Sequence, residues 1–421
     1  AAKKAILNVV NRAKGDDDRY ITFTGAAGTG KTTTFVEIVK SLKTKKIGLT
    51  GPTHKCVKVM RNMAYKANID NLVDVRTIHS ALGLAMKQVD GNEVLYRDEW
   101  AEEQVYDVLF IDECSMLDDA ILGYILESIS DTVVFIGDKC QISPVMAESG
   151  EISKVFTEVD KQVELAEVVR QDAGNPIIEL ATKLRFIQED TYAGWPSIQT
   201  NLLDDGSGVE VMDRMEWFNS AVEVFKSKEF KSNPDYARCI AYTNDMVDKI
   251  NDKVRRVIHG SNVPDYLVGD IIVAQGQGKL HKNSEECRIN TLEEIICDRF
   301  GIPCWEMSIS SLDNNSLYRV KVLKSESISD FEQQLYKLSN LANNIDKLNK
   351  RKHWKAFWEL KKTFDSFKHI YATTAHKSQG STVNSTFIWT SDFLKFGTTM
   401  EIKQLVYTAT TRSSHKTIFA L

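Results

Sequence analysis

Along the first third of the chain, short apolar runs that end in polar clusters alternate with segments whose apolar positions step by three or four residues. Tyr20-Ile21-Thr22-Phe23-Thr24, Lys46-Ile47-Gly48-Leu49-Thr50, Val105-Tyr106-Asp107-Val108-Leu109-Phe110-Ile111 and Thr132-Val133-Val134-Phe135-Ile136 are apolar nearly throughout, as strands buried on both faces of a parallel sheet must be. Between them, Ala5, Ile6, Val9, Val10 and Ala13 share one helical face, and helices are predicted over 33–40 and from Cys56 to about Lys66. Strand and helix in alternation predict an α/β fold around a parallel sheet.

Elsewhere the pattern departs from this alternation. Val89 to Tyr96 has two β-prone arms around a polar Asp90-Gly91-Asn92 turn, which predicts a hairpin. From Asp172 the texture loosens. Arg238-Cys239-Ile240-Ala241-Tyr242-Thr243-Asn244 and a helix carrying Met246, Val247, Ile250 and Val254 then repeat the earlier strand–helix order, so a domain boundary is expected near residue 172. Residues 266–325 hold short β-prone runs and predict a small β module. No Pro or Gly occurs from Cys304 to Gln379, and Phe331, Leu335, Leu338, Leu341, Ile345 and Leu348 step at helical spacing, which predicts one long helix with a single apolar stripe. The α/β texture returns at Thr386-Phe387-Ile388-Trp389.

At 421 residues the chain is long for one core, and roughly two to four domains are expected. Its hydrophobic fraction of 43% and charged fraction of 26% are those of a soluble globular protein. No apolar run approaches the roughly 20 residues that span a bilayer, so a cytoplasmic protein without membrane association is expected. Seven scattered cysteines with no C-x-x-C pair predict neither a disulfide framework nor a zinc ribbon. A net charge of −5 leaves nucleic acid undecided, because phosphate binding depends on where Lys and Arg sit.

The chemistry concentrates at strand ends. Gly25-Ala26-Ala27-Gly28-Thr29-Gly30-Lys31-Thr32 fits G-x-x-x-x-G-K-[ST] between a strand and an amphipathic helix. Its glycines let backbone N–H groups close on phosphate oxygens, and the helix points its positive N-terminus at the same anion. A nucleoside triphosphate is the expected ligand, with Lys31 reaching the β- and γ-phosphates and Thr32 binding Mg²⁺. Asp112-Glu113 ends a buried strand, where two acids need a cation or a partner. Asp112 is assigned to Mg²⁺ and Glu113 to the attacking water. Gln141 follows the next strand and is placed to sense the γ-phosphate or orient water. The polar runs at Gly51-Pro52-Thr53-His54 and Thr77-Ile78-His79-Ser80 serve equally well as ligand contacts or as loop and helix caps. Lys350-Arg351-Lys352-His353-Trp354-Lys355, with Trp358, fits a nucleic-acid strand or the solvated face of a packed helical hairpin.

Taken together and in order, Gly25 to Thr33, Gly51 to His54, Thr77 to His79, Ile111-Asp112-Glu113-Cys114-Ser115-Met116, Gly137-Asp138-Lys139-Cys140-Gln141-Ile142-Ser143-Pro144-Val145, Glu167-Val168-Val169-Arg170-Gln171, His376-Lys377-Ser378-Gln379-Gly380-Ser381-Thr382 and Tyr407-Thr408-Ala409-Thr410-Thr411-Arg412 resemble the superfamily 1 helicases in their RecD-like branch, superfamily 1B. The likeness covers nearly the whole chain. It implies two RecA-like P-loop domains, one over 1–172 with an inserted hairpin at 84–106 and one over 173–265 and 370–421. An inserted domain at 266–369 combines the small β module with the long-helix extension. ATP would lie in the cleft between the two RecA-like domains, bound by Gly25 to Thr33 with Gln379 and Gly380. By the same likeness Gln141 contacts the γ-phosphate, and Arg170 and Arg412 are arginine fingers from opposite sides. Pro52, Thr53, His54, Thr77, His79, Thr374 and His376 meet single-stranded DNA. The hairpin is a strand-separating pin on which Tyr96 stacks against bases, and the extension braces it.

What the resemblance implies is an ATP- and Mg²⁺-dependent DNA helicase moving 5′ to 3′ in replication, recombination or repair. It would act as a monomer on single-stranded DNA and on junctions with duplex, alongside a replication or single-strand-binding protein. A translocase that displaces proteins with little unwinding, and a P-loop NTPase with a protein partner, are the alternatives. Two departures stand out. The 24 residues before Gly25 lack the glutamine that reads adenine in members of the family, and 276–315 does not follow the family pattern.

Overall fold

Both faces of the first sheet are covered, and the strand sequences show why. Val108 and Phe110 enter one hydrophobic cluster while Leu109 and Ile111 enter another, and Val134 with Ile136 and Val133 with Phe135 divide the same way. A period of two with apolar residues at every position leaves no face for water. The computed structural model describes residues 2–12, 19–26, 28–89, 92–98, 100–143, 152–165, 174–187, 197–276, 281–344, 347–395 and 397–421.

The first sheet runs Val73–Thr77, Ile47–Gly51, Val108–Ile111, Thr132–Gly137, Tyr20–Gly25, Gln162–Leu165, with all neighbours parallel. The second runs Ala372–Thr374, Ala237–Ala241, Val383–Trp389, Ser413–Ala420, Gly208–Met212, Asn201–Leu202, the last pair antiparallel. Packed against it is the fully buried Trp217, whose ring meets Phe387 and Trp389 edge-on and whose indole N–H donates to the Ile418 carbonyl at 3.2 Å. Both sheets lie in one compact unit, Ala1–Val247 with Thr373–Leu421. They are called here the first and second lobes.

The expected hairpin is present as an antiparallel ribbon, Leu84–Val89 with Asn92–Arg97, and its Asp90-Gly91 turn lies outside the described residues. Gly83 starts the ribbon at φ +63°, and a Cβ there would stand 2.7 Å from the Ala101 carbonyl oxygen, so only glycine fits.

The other compact unit is Asp248–Ala372, which encloses the region expected as an insertion. Five antiparallel strands, in the order Leu317–Leu323, Ile302–Ser311, Glu286–Cys297, Ile271–Ala274, Phe367–His369, form its sheet. The single long helix expected from the stripe Phe331 to Leu348 is instead two, Ile328–Asn343 and Lys347–Lys361, which pack on each other. Asn343 and Asn344 are weak helix formers that bond local backbone, and they end the first helix without help from Gly or Pro. The edge-on contact of Phe331 with Phe364 at 5.6 Å closes the pair at its open end. No helix among the described residues is long and apolar enough to cross a membrane, and the seven cysteines are free.

Candidate functional site

The phosphate loop begins where the strand Tyr20–Gly25 ends. Gly28 and Gly30 adopt φ +81° and +82°, conformations costly for any residue with a Cβ. Gly25 has the opposite reason to be glycine, since a Cβ would stand 2.5 Å from Thr29 Oγ1. Gly30 caps the helix Lys31–Ser41 and has no side chain to accept its first N–H groups, which leaves those donors facing the loop where a ligand would sit. The Lys31 ammonium donates to the carbonyls of Gly25 at 2.7 Å and Ala26 at 3.0 Å, across the mouth of the loop. Ala27 lies outside the described residues.

Opposite the loop, the strand Val108–Ile111 delivers Asp112 and Glu113. Asp112 Oδ1 accepts the Glu113 N–H at 2.9 Å, and Glu113 is held at φ +52°, a left-handed conformation that a non-glycine residue keeps only under constraint. Burial, then the charge of Glu113, pushes the Asp112 carboxyl up to about 7, against the lowering influence of Lys31. Two acids against the single charge of Lys31 leave Asp112 short of positive charge.

A cavity of about 240 Å³ brings these groups together with the second lobe. Gly28, Lys31, Thr32, Asp112, Glu113 and Gln141 line one side, and Gly380, Ser381, Thr382, Thr411 and Arg412 line the other. Gln141 Oε1 is buried without a hydrogen-bond partner among the described residues, a cost that a water held in the cavity would remove by donating to it. Arg412 is nearly buried and donates to the Thr408 carbonyl at 3.1 Å, the Ser381 carbonyl at 3.5 Å and Thr411 Oγ1 at 3.0 Å. Gly380 has φ +69°, and a Cβ on it would meet Cys56 Sγ of the first lobe at 2.5 Å. Gln379 does not line the cavity; its amide donates to the Ile142 carbonyl at 3.2 Å. Arg170 lies outside the described residues.

The polar runs at the C-terminal ends of the strands turn out to share one device. Thr53, Thr77 and Thr374 each cap a helix, accepting the N–H of Cys56, Ser80 and Lys377 at 3.2 Å. Thr243 does the same for Met246 at 3.2 Å. Two caps stand on each lobe, at the edge where parallel sheets take ligands. Pro52 and His54 flank Thr53, His79 follows Thr77, and His376 follows Thr374 with its ring 6.0 Å from that of Tyr242. The Thr53 hydroxyl donates to Cys56 Sγ, and that of Thr243 to Asp392, whose carboxylate also accepts the N–H groups of Tyr242 and Thr243 at 2.9 and 2.7 Å. Tyr242 and Thr243 were not among the expected contacts, although the strand-Thr-Asn-helix order at 237–247 matches that of the first lobe. Tyr96 pairs with Ala85 near the base of the ribbon, and the Lys87 ammonium covers one face of its ring at 4.8 Å.

Comparison with known proteins gives matches along most of the chain. Residues 6–194 match the AAA domain family, 369–420 the UvrD-like helicase C-terminal domain, and 272–369 the Dda helicase SH3 domain. The stretch 276–315, which departs from the RecD-like pattern, falls inside the last of these. The chain is 30% identical over 459 residues to the ATP-dependent DNA helicase dda of Enterobacteria phage T4, covering 99% of this chain and 98% of that one. It is 29% identical over 168 residues to the ATP-dependent RecD2 DNA helicase of Deinococcus radiodurans, covering 39% and 21%. Among solved structures, a Pif1 helicase from work on unwinding at forked duplex DNA shares the fold, with a TM-score of 0.50 at 18% identity, covering 99% and 91%.

Proposed function

The chain belongs to the superfamily 1B DNA helicases, and from that premise we propose that it turns ATP hydrolysis into 5′-to-3′ movement along single-stranded DNA and parts the duplex at junctions. The observation that carries this reading is the cavity walled by both lobes, with Lys31, Asp112 and Glu113 on one side and Gly380 and Arg412 on the other. A ligand gripped from both sides makes hydrolysis and lobe movement one event. Thr32 and Asp112 would hold Mg²⁺; the charge-poor surroundings of Asp112 fit a divalent cation, which when bound neutralises the β- and γ-phosphate oxygens. Glu113 takes the proton of the attacking water, Lys31 leaves its loop carbonyls for the phosphates, and Arg412 turns to the charge that develops during transfer. Because one chain supplies both walls, a monomer suffices. A single-strand-binding or replication protein is the natural partner, and the cytoplasm the natural place.

Threonine hydroxyls and imidazoles at Thr53, His54, Thr77, His79, Thr374 and His376 grip phosphates without reading bases, as movement along any sequence demands. Burial holds the His79 and His376 imidazoles below the ordinary 6.5, while Asp118 and Glu401 act the other way. Both rings are therefore neutral at pH 7 and gain charge only in more acid solution. Affinity for single-stranded DNA, measured by fluorescence anisotropy at fixed salt, is expected to be flat from about pH 8 to 6.5 and to rise below that. The His79→Gln, His376→Gln double variant should lose the rise; if it keeps the rise, these rings do not touch phosphate.

The direct test of the function is ATP hydrolysis with and without single-stranded DNA, followed by unwinding of duplexes carrying a 5′ or a 3′ tail. Strong stimulation by DNA and unwinding of the 5′-tailed duplex alone are expected. Hydrolysis indifferent to DNA would overturn the motor reading, and unwinding from the 3′ tail the direction. Tyr96→Ala should slow unwinding about tenfold, the worth of one lost stacking contact, with DNA-stimulated hydrolysis unchanged. Equal loss of both would remove Tyr96 from the junction.

A further inference from the structure

The loop 138–143 belongs by sequence to the first lobe, since it follows the strand Thr132–Gly137 directly. Apart from the Lys139 ammonium, which donates to Glu164 of the first-lobe strand Gln162–Leu165 at 3.1 Å, its side-chain bonds run mostly to the second lobe. Asp138 is fully buried, and its carboxylate accepts Arg185 Nη1 at 2.6 Å, the Tyr407 hydroxyl and the Cys140 N–H at 3.0 Å. Arg185 ends the helix Pro176–Arg185 and Tyr407 stands on the helix Thr399–Thr410, both of which pack in the second lobe, while Arg185 Nη2 also donates to Glu164 of the first lobe at 2.7 Å. Ile142 donates its N–H to Thr408 Oγ1 at 3.2 Å and accepts Gln379 Nε2 on its carbonyl at 3.2 Å. The Ile142 side chain sits within the hydrophobic core of the second lobe, beside Ile177, Leu405 and Tyr407. Ser143 exchanges hydrogen bonds with Gln404 on the same helix.

Gln141 lies between these anchors. We propose that Asp138, Tyr407 and Arg185 form a latch that ties Gln141 to the second lobe, so that Gln141 and Arg412 approach the γ-phosphate as one rigid group. Arg412 follows the helix that carries Gln404, Tyr407 and Thr408, so a single helix sets the place of both residues. Burial together with the neighbouring Asp138 raises the Tyr407 hydroxyl well above 10, which keeps it a donor to the carboxylate throughout the working pH range. A carboxylate buried this deeply is stable only while its partners stay, so the latch holds as a unit or opens as a unit. The three residues are positioning residues: none lines the cavity, and they act through Gln141.

The inference rests on the ATP-hydrolysis reading above, and its test keeps the two apart. Tyr407→Phe removes one hydroxyl from a packed ring, and Asp138→Asn keeps the shape while removing the charge. In the full-length protein without DNA or nucleotide, hydrogen exchange of the peptide spanning 138–143 should quicken at least fivefold in both variants, because the Ile142 amide loses its fixed partner. Exchange in the strand Val108–Ile111 should not change. With ATP and single-stranded DNA, Tyr407→Phe should lower kcat about tenfold, and the same change made on top of Gln141→Ala should add nothing. Unchanged exchange at 138–143, or a kcat loss that multiplies with that of Gln141→Ala, would overturn the latch. A wild-type protein without DNA-stimulated hydrolysis would overturn the motor reading instead, and the exchange measurement would still decide the latch.

Discussion

Arg412→Ala is expected to lower kcat for DNA-stimulated ATP hydrolysis by about 10³-fold or more, the range lost when an arginine finger is removed. Its guanidinium donates to Thr408, Ser381 and Thr411, all within its own lobe, yet it lines the cavity with Lys31 on the far side. A finger role requires the side chain to turn from those bonds toward a phosphoryl group in the cavity. Arg412→Lys should rescue little, because an ammonium lacks the planar fork. ATP binding, followed with a fluorescent analogue, should change far less than kcat, since the finger acts on charge that develops during transfer. A kcat within tenfold of wild type in a folded Arg412→Ala protein would assign the residue to packing alone.

Glu113→Gln should cost about 10²- to 10⁴-fold in kcat, the contribution of a positioned general base. The substitution keeps size and hydrogen-bonding shape, so the left-handed backbone at this position is not disturbed. Nucleotide binding should hold or tighten. With Glu113 neutral, one of the two influences that raise the Asp112 carboxyl disappears, leaving Asp112 ionised at lower pH and readier for a cation. Rapid-quench measurement of a single turnover, beside equilibrium binding of Mg²⁺·ATP, separates these effects. Hydrolysis within tenfold of wild type would place the base elsewhere.

How much of this was legible beforehand follows from how local each cause is. The phosphate loop, the buried strands and Asp112-Glu113 are written in consecutive residues, because a strand, a glycine turn and a helix N-terminus are enough to build them. The threonine caps are also local, and Thr243 could have been placed with Thr53 from the repeated strand-Thr-helix order. The break after Asn344 was visible in the Asn-Asn pair but was outweighed by an apolar stripe that ran across it. Nothing local could reveal that Asp138 is held by Arg185 and Tyr407, 47 and 269 residues away, or that Gln379 reaches the Ile142 carbonyl instead of the cavity. Those contacts exist only once two sheets with no sequence signal for their mutual placement have come together.

The meeting of Gly380 with Cys56 sets a condition of chemical durability. At this contact between the lobes the clearance is less than a methyl group, and one of the touching atoms is sulfur. An oxygen atom or a glutathione added to that sulfur would act as a wedge and hold the cleft ajar. Burial and the neighbouring carboxylates push the Cys56 thiol up to about 12, which leaves almost no thiolate to be oxidised or to attack a disulfide. The two acids proposed to serve hydrolysis thereby help keep this joint free of corrosion.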